Sequence, residues 1–124
     1  MEGYSVSIKH VSKTITAKER VMLKDTTNAI SLDEVTQGAK FVFEPDYYAI
    51  LDVHNEKSED KDYVKYVIVD KAGTKMVTGS ESFFTSFCDI MNEMAESGEE
   101  FSIEAYRMPS KNYKGKEFIT CSVV

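Results

Sequence analysis

Apolar and polar positions along this chain follow two periods, and where one period gives way to the other marks the elements. Residues 5–11 alternate as a strand does, with Val6 and Ile8 between Ser5, Ser7 and Lys9. Thr16-Ala17-Lys18-Glu19 then has the spacing of a capping box, in which a hydroxyl and a carboxylate satisfy backbone N–H groups reciprocally, so a short helix opens there. Ser31-Leu32-Asp33-Glu34 repeats the signal and predicts a single helical turn leading into residues 40–43 as the first strand of the main sheet. Residues 47–53, 63–70 and 74–78 read as an antiparallel meander, with a charged loop at 54–62 and Gly73 supplying the positive φ of a tight hairpin. After the Ser80 N-cap, Phe83, Phe87, Ile90, Met91 and Met94 recur at spacings of three and four until Gly98, which is one amphipathic helix. Residues 101–107 and 116–123 are the last two strands.

The resulting order, β-β-β-α-β-β, predicts a mainly β fold with one amphipathic helix. It is the order of a five-stranded OB-like Greek-key barrel, in which the helix between strands three and four plugs the barrel bottom. On this reading residues 31–124 form the OB-like domain and residues 1–30 a strand and helix extension, within a single domain overall. That extension either covers a barrel edge or is an arm exchanged between protomers of a homo-oligomer.

Composition fits one such domain: 124 residues, 42% of them hydrophobic, suffice for one packed core. The longest apolar runs fall far short of the ~20 residues of a bilayer span, and the first residues lack the order of a signal peptide, so no membrane role is expected. Two cysteines, Cys88 and Cys121, without Cys-x-x-Cys spacing suggest reduced thiols in a cytoplasm. The net charge of −6 excludes a uniformly basic coat but conceals a segregation. Residues 1–30 balance to +2, residues 31–104 to −11, and residues 105–124 to +3.

Catalytic chemistry needs a nucleophile with a base, a metal cluster or a phosphate loop, and no such pattern stands out, so a non-enzymatic protein without cofactor or metal is expected. His10 and His54 are far apart and in no metal-binding spacing; Gly79-Ser80-Glu81-Ser82 lacks the second glycine of a nucleophile elbow, and Ser80 is better placed as a cap. The informative stretch is Tyr106-Arg107-Met108-Pro109-Ser110-Lys111-Asn112-Tyr113-Lys114-Gly115-Lys116. A single-stranded nucleic acid offers phosphates and unstacked bases, and this stretch offers cations interleaved with rings. Strand phase adds to it: if Tyr47, Ala49, Leu51 and Val53 point inward, Tyr48 points outward, and inward Phe101, Ile103 and Ala105 leave Tyr106 outward.

With these features the chain resembles small OB-fold single-stranded DNA-binding proteins of phages and mobile elements. The resemblance rests on the strand order over residues 31–124, the meander from Tyr63 to Ser80, the Phe-rich helix and the closing Ser110-Lys111-Asn112-Tyr113-Lys114-Gly115-Lys116-Glu117-Phe118. It implies sequence-tolerant single-stranded DNA binding in replication or recombination, in a host cytoplasm if phage-encoded, with Tyr48, Lys65, Tyr106, Arg107, Lys111, Tyr113, Lys114 and Lys116 on the nucleic acid. Members of that group often end in an acidic tail that recruits partners, whereas this chain ends in Cys121-Ser122-Val123-Val124. Recruitment of replication or recombination proteins would then fall to Asp89, Glu93, Glu96, Glu99 and Glu100. The alternative is a protein-binding module or inhibitor whose acidic surface imitates nucleic acid.

Overall fold

The computed structural model describes residues 3–110 and 115–124. Among the described residues eight strands fall into two sheets, neither closed on itself, with one principal helix. The described chain divides into two compact units, one of residues up to Ile30 with Asp46–Gly79, the other of Ser31–Pro45 with Ser80–Val124. No helix among the described residues is long and apolar enough to cross a membrane.

In the first unit, β1 (Tyr4–Val11), β4 (Pro45–Asn55), β5 (Asp62–Asp70), β6 (Lys75–Thr78) and β2 (Ile30–Ser31) form one sheet in the order β1-β4-β5-β6-β2. The expected meander is its centre. β1 runs antiparallel to β4 with Val6 opposite Val53 and Ile8 opposite Leu51, and a bulge between Ile8 and His10 shifts the phase by one residue. Without that shift Val11 would leave the core face; with it, Val6, Ile8 and Val11 all pack on the core. That core is Leu23, Tyr47, Ala49, Leu51, Val53, Val67 and Val69, so β4 alternates as its sequence pattern requires. Ile68 and Met76, opposite each other in the β5–β6 register, are also buried, which is why β5 carries apolar residues in both phases.

Leu23 comes from α1 (Ala17–Lys24), whose capping box is formed: Glu19 N–H donates to Thr16 Oγ1 at 3.1 Å and Thr16 N–H to Glu19 Oε1 at 2.9 Å. At its other end Lys75 Nζ donates to the carbonyls of Met22, at 2.7 Å, and Asp25, the Met22 oxygen also accepting the Asp25 N–H at 3.1 Å. The β5–β6 turn is held by Asp70, whose Oδ1 accepts Ala72 N–H at 3.0 Å and Thr74 N–H at 2.8 Å, while Gly73 takes φ +88°.

In the second unit β3 (Phe41–Phe43), β7 (Ile103–Pro109) and β8 (Glu117–Val123) form a sheet in the order β3-β7-β8. Before β3, Ser31 caps the one-turn α2 (Leu32–Val35), as its spacing predicts. α3 (Glu81–Ser97) starts at the Ser80 cap, where Ser80 Oγ accepts Phe83 N–H at 3.2 Å, and ends on left-handed Gly98. It lies on β8, Ser82 Oγ donating to the Ile119 carbonyl at 3.3 Å, and its Phe83 and Phe87 rings stack at 5.9 Å between centroids. Phe43 adds a ring 6.4 Å from Phe87, and Ile103, Ala105, Ile119 and Cys121 complete this core.

Two expectations are corrected here. Residues 41–43 do not begin the main sheet; Phe41, Val42 and Phe43 pair with Ala105, Glu104 and Ile103. Nor do the five expected strands form one closed sheet: they are divided between the two sheets, with β1 beside β4 and β2 beside β6 in the first. Tyr4–Val11 and Ile30–Ser31 thus belong to the five-stranded sheet.

Because Phe87 is fully buried among rings, Phe87→Ala should cost about 3–5 kcal/mol in urea unfolding, while Val21→Ala at a 71% exposed site should stay within about 0.5 kcal/mol. Equal effects of the two would contradict this core assignment. Near the end of β4, His54 sits between carboxylates, Nδ1 2.7 Å from Asp62 and Nε2 2.7 Å from Glu56, which raises its pKa above the ordinary histidine value. A raised value stabilises the fold in full below the unfolded-state pKa of about 6.5, and that contribution is lost as pH climbs through the folded-state value. His54→Gln should therefore lower the melting temperature at about pH 5.5 and converge on the parent at about pH 9; a gap independent of pH would refute the pairing.

Candidate nucleic-acid interface

The β7–β8 hairpin sorts its side chains by register. Ile103 pairs with Val123, Ala105 with Cys121, Tyr106 with Thr120, Met108 with Phe118 and Pro109 with Glu117. Alternation sends Ile103, Ala105, Ile119 and Cys121 to the core and leaves Glu104, Tyr106, Met108, Phe118, Thr120 and Ser122 on the outer face. Val42 of β3, opposite Glu104, extends that face. Its apolar members are open to water: Val42 is 57% exposed, Met108 43% and Phe118 38%.

Polar contacts hold this face in shape. The Tyr106 and Ser122 hydroxyls lie 2.7 Å apart in a hydrogen bond, anchoring the half-buried Tyr106 ring by its rim. Lys40, where β3 approaches β7, places its ammonium 5.7 Å from the centre of that ring and 3.1 Å from Glu104 Oε1. At the far end Ser110 N–H donates to the Lys116 carbonyl at 2.8 Å, so the hairpin is closed where Lys116 leaves it exposed.

Of the sequence-predicted residues, Tyr106, Arg107 and Lys116 therefore share one hairpin. Arg107 is half-buried, and its Nη2 donates to the Asp33 carbonyl at 2.7 Å. Lys111, Tyr113 and Lys114 lie outside the described residues. Tyr48 and Lys65 belong to the first unit: Tyr48 is half-buried with its ring 6.1 Å from that of His10, and Lys65 is half-buried with Nζ 3.4 Å from Thr26 Oγ1. Asp89, Glu93 and Glu96 are exposed on α3, and Glu99 and Glu100 are exposed just beyond it.

Sequence reasoning passed over Lys40, Val42, Met108 and Phe118. For Phe118 a signal existed, since inward Ile119 and Cys121 force it outward by parity. Lys40 was unreadable, because its place beside Tyr106 depends on pairing between segments more than sixty residues apart.

Burial pushes the Cys121 thiol up to about 12, so it stays protonated and a poor nucleophile at neutral pH. Ser80 is engaged as the α3 cap, and no group of three or more His, Cys, Asp or Glu among the described residues could hold a metal ion. What the second sheet offers is an exposed apolar and aromatic face bordered by lysines. Comparison of the chain with protein-family models, with curated proteins and with solved structures finds no match.

Proposed function

We propose that this protein binds single-stranded DNA with little sequence preference, as a non-enzymatic component of replication or recombination in the cytoplasm. The observation that carries the reading is the outer face of the second sheet, where Tyr106, Met108 and Phe118 lie on one surface, with Lys40 beside Tyr106 and the exposed Lys116 next to β8. Any base has a flat face that stacks on a ring or packs on a thioether, and each phosphate pairs with a nearby cation, so this combination accepts many sequences. An OB-like reading accompanies the proposal, supported by element order alone: three antiparallel strands, a helix, then a closing hairpin. Replication or recombination proteins would engage the carboxylates on and just beyond α3. The exposure of those five carboxylates favours a second reading, in which the acidic surface itself occupies a partner's basic groove.

Fluorescence anisotropy of labelled oligo-dT, with matched duplex and RNA, at two salt concentrations tests the first reading. Binding should weaken with salt, and Phe118→Ala should reduce affinity by the worth of one stack, about 1–3 kcal/mol, with the fold intact. Replacing Lys111, Lys114 and Lys116 by Gln should flatten the salt dependence. Absence of binding even at low salt would reject single-strand recognition and leave the acidic surface as the functional one.

A further inference from the structure

Within the first unit, α1 and the β5–β6 turn border a pocket of about 250 Å³, whose lining includes Glu19, Met22, Leu23, Tyr47, Val69 and Asp70. It lies below the roughly 300–1,000 Å³ of drug-sized sites, so its occupant is small. Its walls are fixed from several sides. Leu23 seats α1 on the core, Lys75 ties the end of that helix to β6, and Asp70 holds the turn through the N–H groups of Ala72 and Thr74. Met22 is 54% exposed, so one apolar wall faces water.

The pocket also holds a hydroxyl without a partner. Tyr47 is only 6% exposed and its ring belongs to the core, with the Lys13 ammonium 4.7 Å from the ring centre. Among the described residues no group accepts from its Oη. Arg107 Nε is the one buried side-chain polar atom among them that is both sealed from water and unpartnered, so Tyr47 Oη keeps an opening, and the pocket Tyr47 lines gives that opening its place. Burial and then the Glu19 carboxylate hold the phenol above its ordinary pKa, so it remains a donor throughout the neutral range. A donor so placed stays unsatisfied until a ligand brings an acceptor.

Glu19 offers the complementary group. Its Oε1 accepts the Thr16 N–H at 2.9 Å, and its Oε2 has no partner among the described residues. The other charges are engaged or balanced: Asp46 holds Lys13 Nζ through both oxygens, and Lys75 Nζ donates to the Met22 and Asp25 carbonyls. With Lys71, three carboxylates around the pocket meet three ammoniums, so the surroundings carry no net charge and favour neither an anion nor a cation.

We infer that this pocket binds an uncharged cyclic amide, the C=O and N–H edge that a thymine or uracil base presents. The ligand carbonyl accepts from Tyr47 Oη, its adjacent N–H donates to Glu19 Oε2, and its apolar body lies against Met22 and Val69. The site is in the first unit, whereas the proposed strand-binding face is in the second, so either can exist without the other. A free nucleoside and a base within a strand carry the same edge, and both are sources of this ligand chemistry.

The chain has six methionines, so in the full-length protein labelled at its methionine methyls the Met22 signal is assignable with Met22→Leu. Thymidine should move that signal at millimolar concentration, as suits a ligand of its size, and N3-methylthymidine, which lacks the N–H, should bind about tenfold more weakly. Tyr47→Phe should also weaken thymidine about tenfold while melting no lower than the parent, because the hydroxyl it removes has no partner in the protein. No response to thymidine overturns the assignment, as does a Tyr47→Phe protein that binds thymidine like the parent. Benzamidine or benzoate moving the Met22 signal at lower concentration than thymidine overturns it too, since the ligand would then be charged. Oligo-dT and an abasic strand of equal length identify the source. A shift with oligo-dT but not with the abasic strand marks a base within a strand, a shift with thymidine alone marks a free nucleoside, and the cyclic-amide site stands in both. If oligo-dT binds while neither it nor thymidine moves the Met22 signal, the pocket assignment falls and single-strand binding stands.

Discussion

An unpaired strand edge leaves backbone donors and acceptors to water or to other chains, and the way this chain fills the edges of its meander decides where its remaining strands can pair. β1 takes the outer edge of β4 and β2 that of β6, both supplied by the first thirty-one residues. The Ile8–His10 bulge makes the first pairing compatible with burial, since it returns Val11 to the face that already holds Val6 and Ile8. With the meander flanked on both sides, Phe41–Phe43 is left to the later strands, and the second sheet grows around β7.

In that second sheet a period of two separates the buried core from the exposed face. The residues that pack under α3 and those that face water come from the same two strands, one position apart. Phe118 and Ile119 illustrate it: one ring is open to solvent, while the next side chain is nearly fully buried. A substitution on the outer face can therefore change that surface with little effect on the core. Arg107 is the exception, because it has the parity of the core yet carries a charge, which it directs to the Asp33 carbonyl.

Much of the local structure was legible because local chemistry determines it. The Thr16–Glu19 box, the Ser31 and Ser80 caps, left-handed Gly98 and the Gly73 turn each form where a few adjacent residues require them. The inward set Tyr47, Ala49, Leu51 and Val53 was also readable from alternation alone. The pairing of Phe41 with Ala105 was not, since three-residue β3 carries too few alternating positions to declare its partner. The candidate site shared that limit. Charge drew attention to Arg107, and the family resemblance to Lys65, as open cations, yet the parity that turned Tyr106 outward also turned Arg107 inward, and Lys65 reaches Thr26. Lys40 gained significance only from a register formed across the whole of α3.

Each unit is assembled from two separated stretches, and this imposes an order on synthesis from the N-terminus. Everything the first unit needs has been made once Gly79 is joined, whereas Ser31–Pro45 was made earlier and must wait for Ser80–Val124. In the interval Phe41–Phe43 has no ladder to enter, and Phe41 and Phe43 have no rings from α3 to meet. The nascent chain thus passes through a stage in which one unit can be complete while a short apolar strand stays uncommitted, and that strand is where premature association during translation would start.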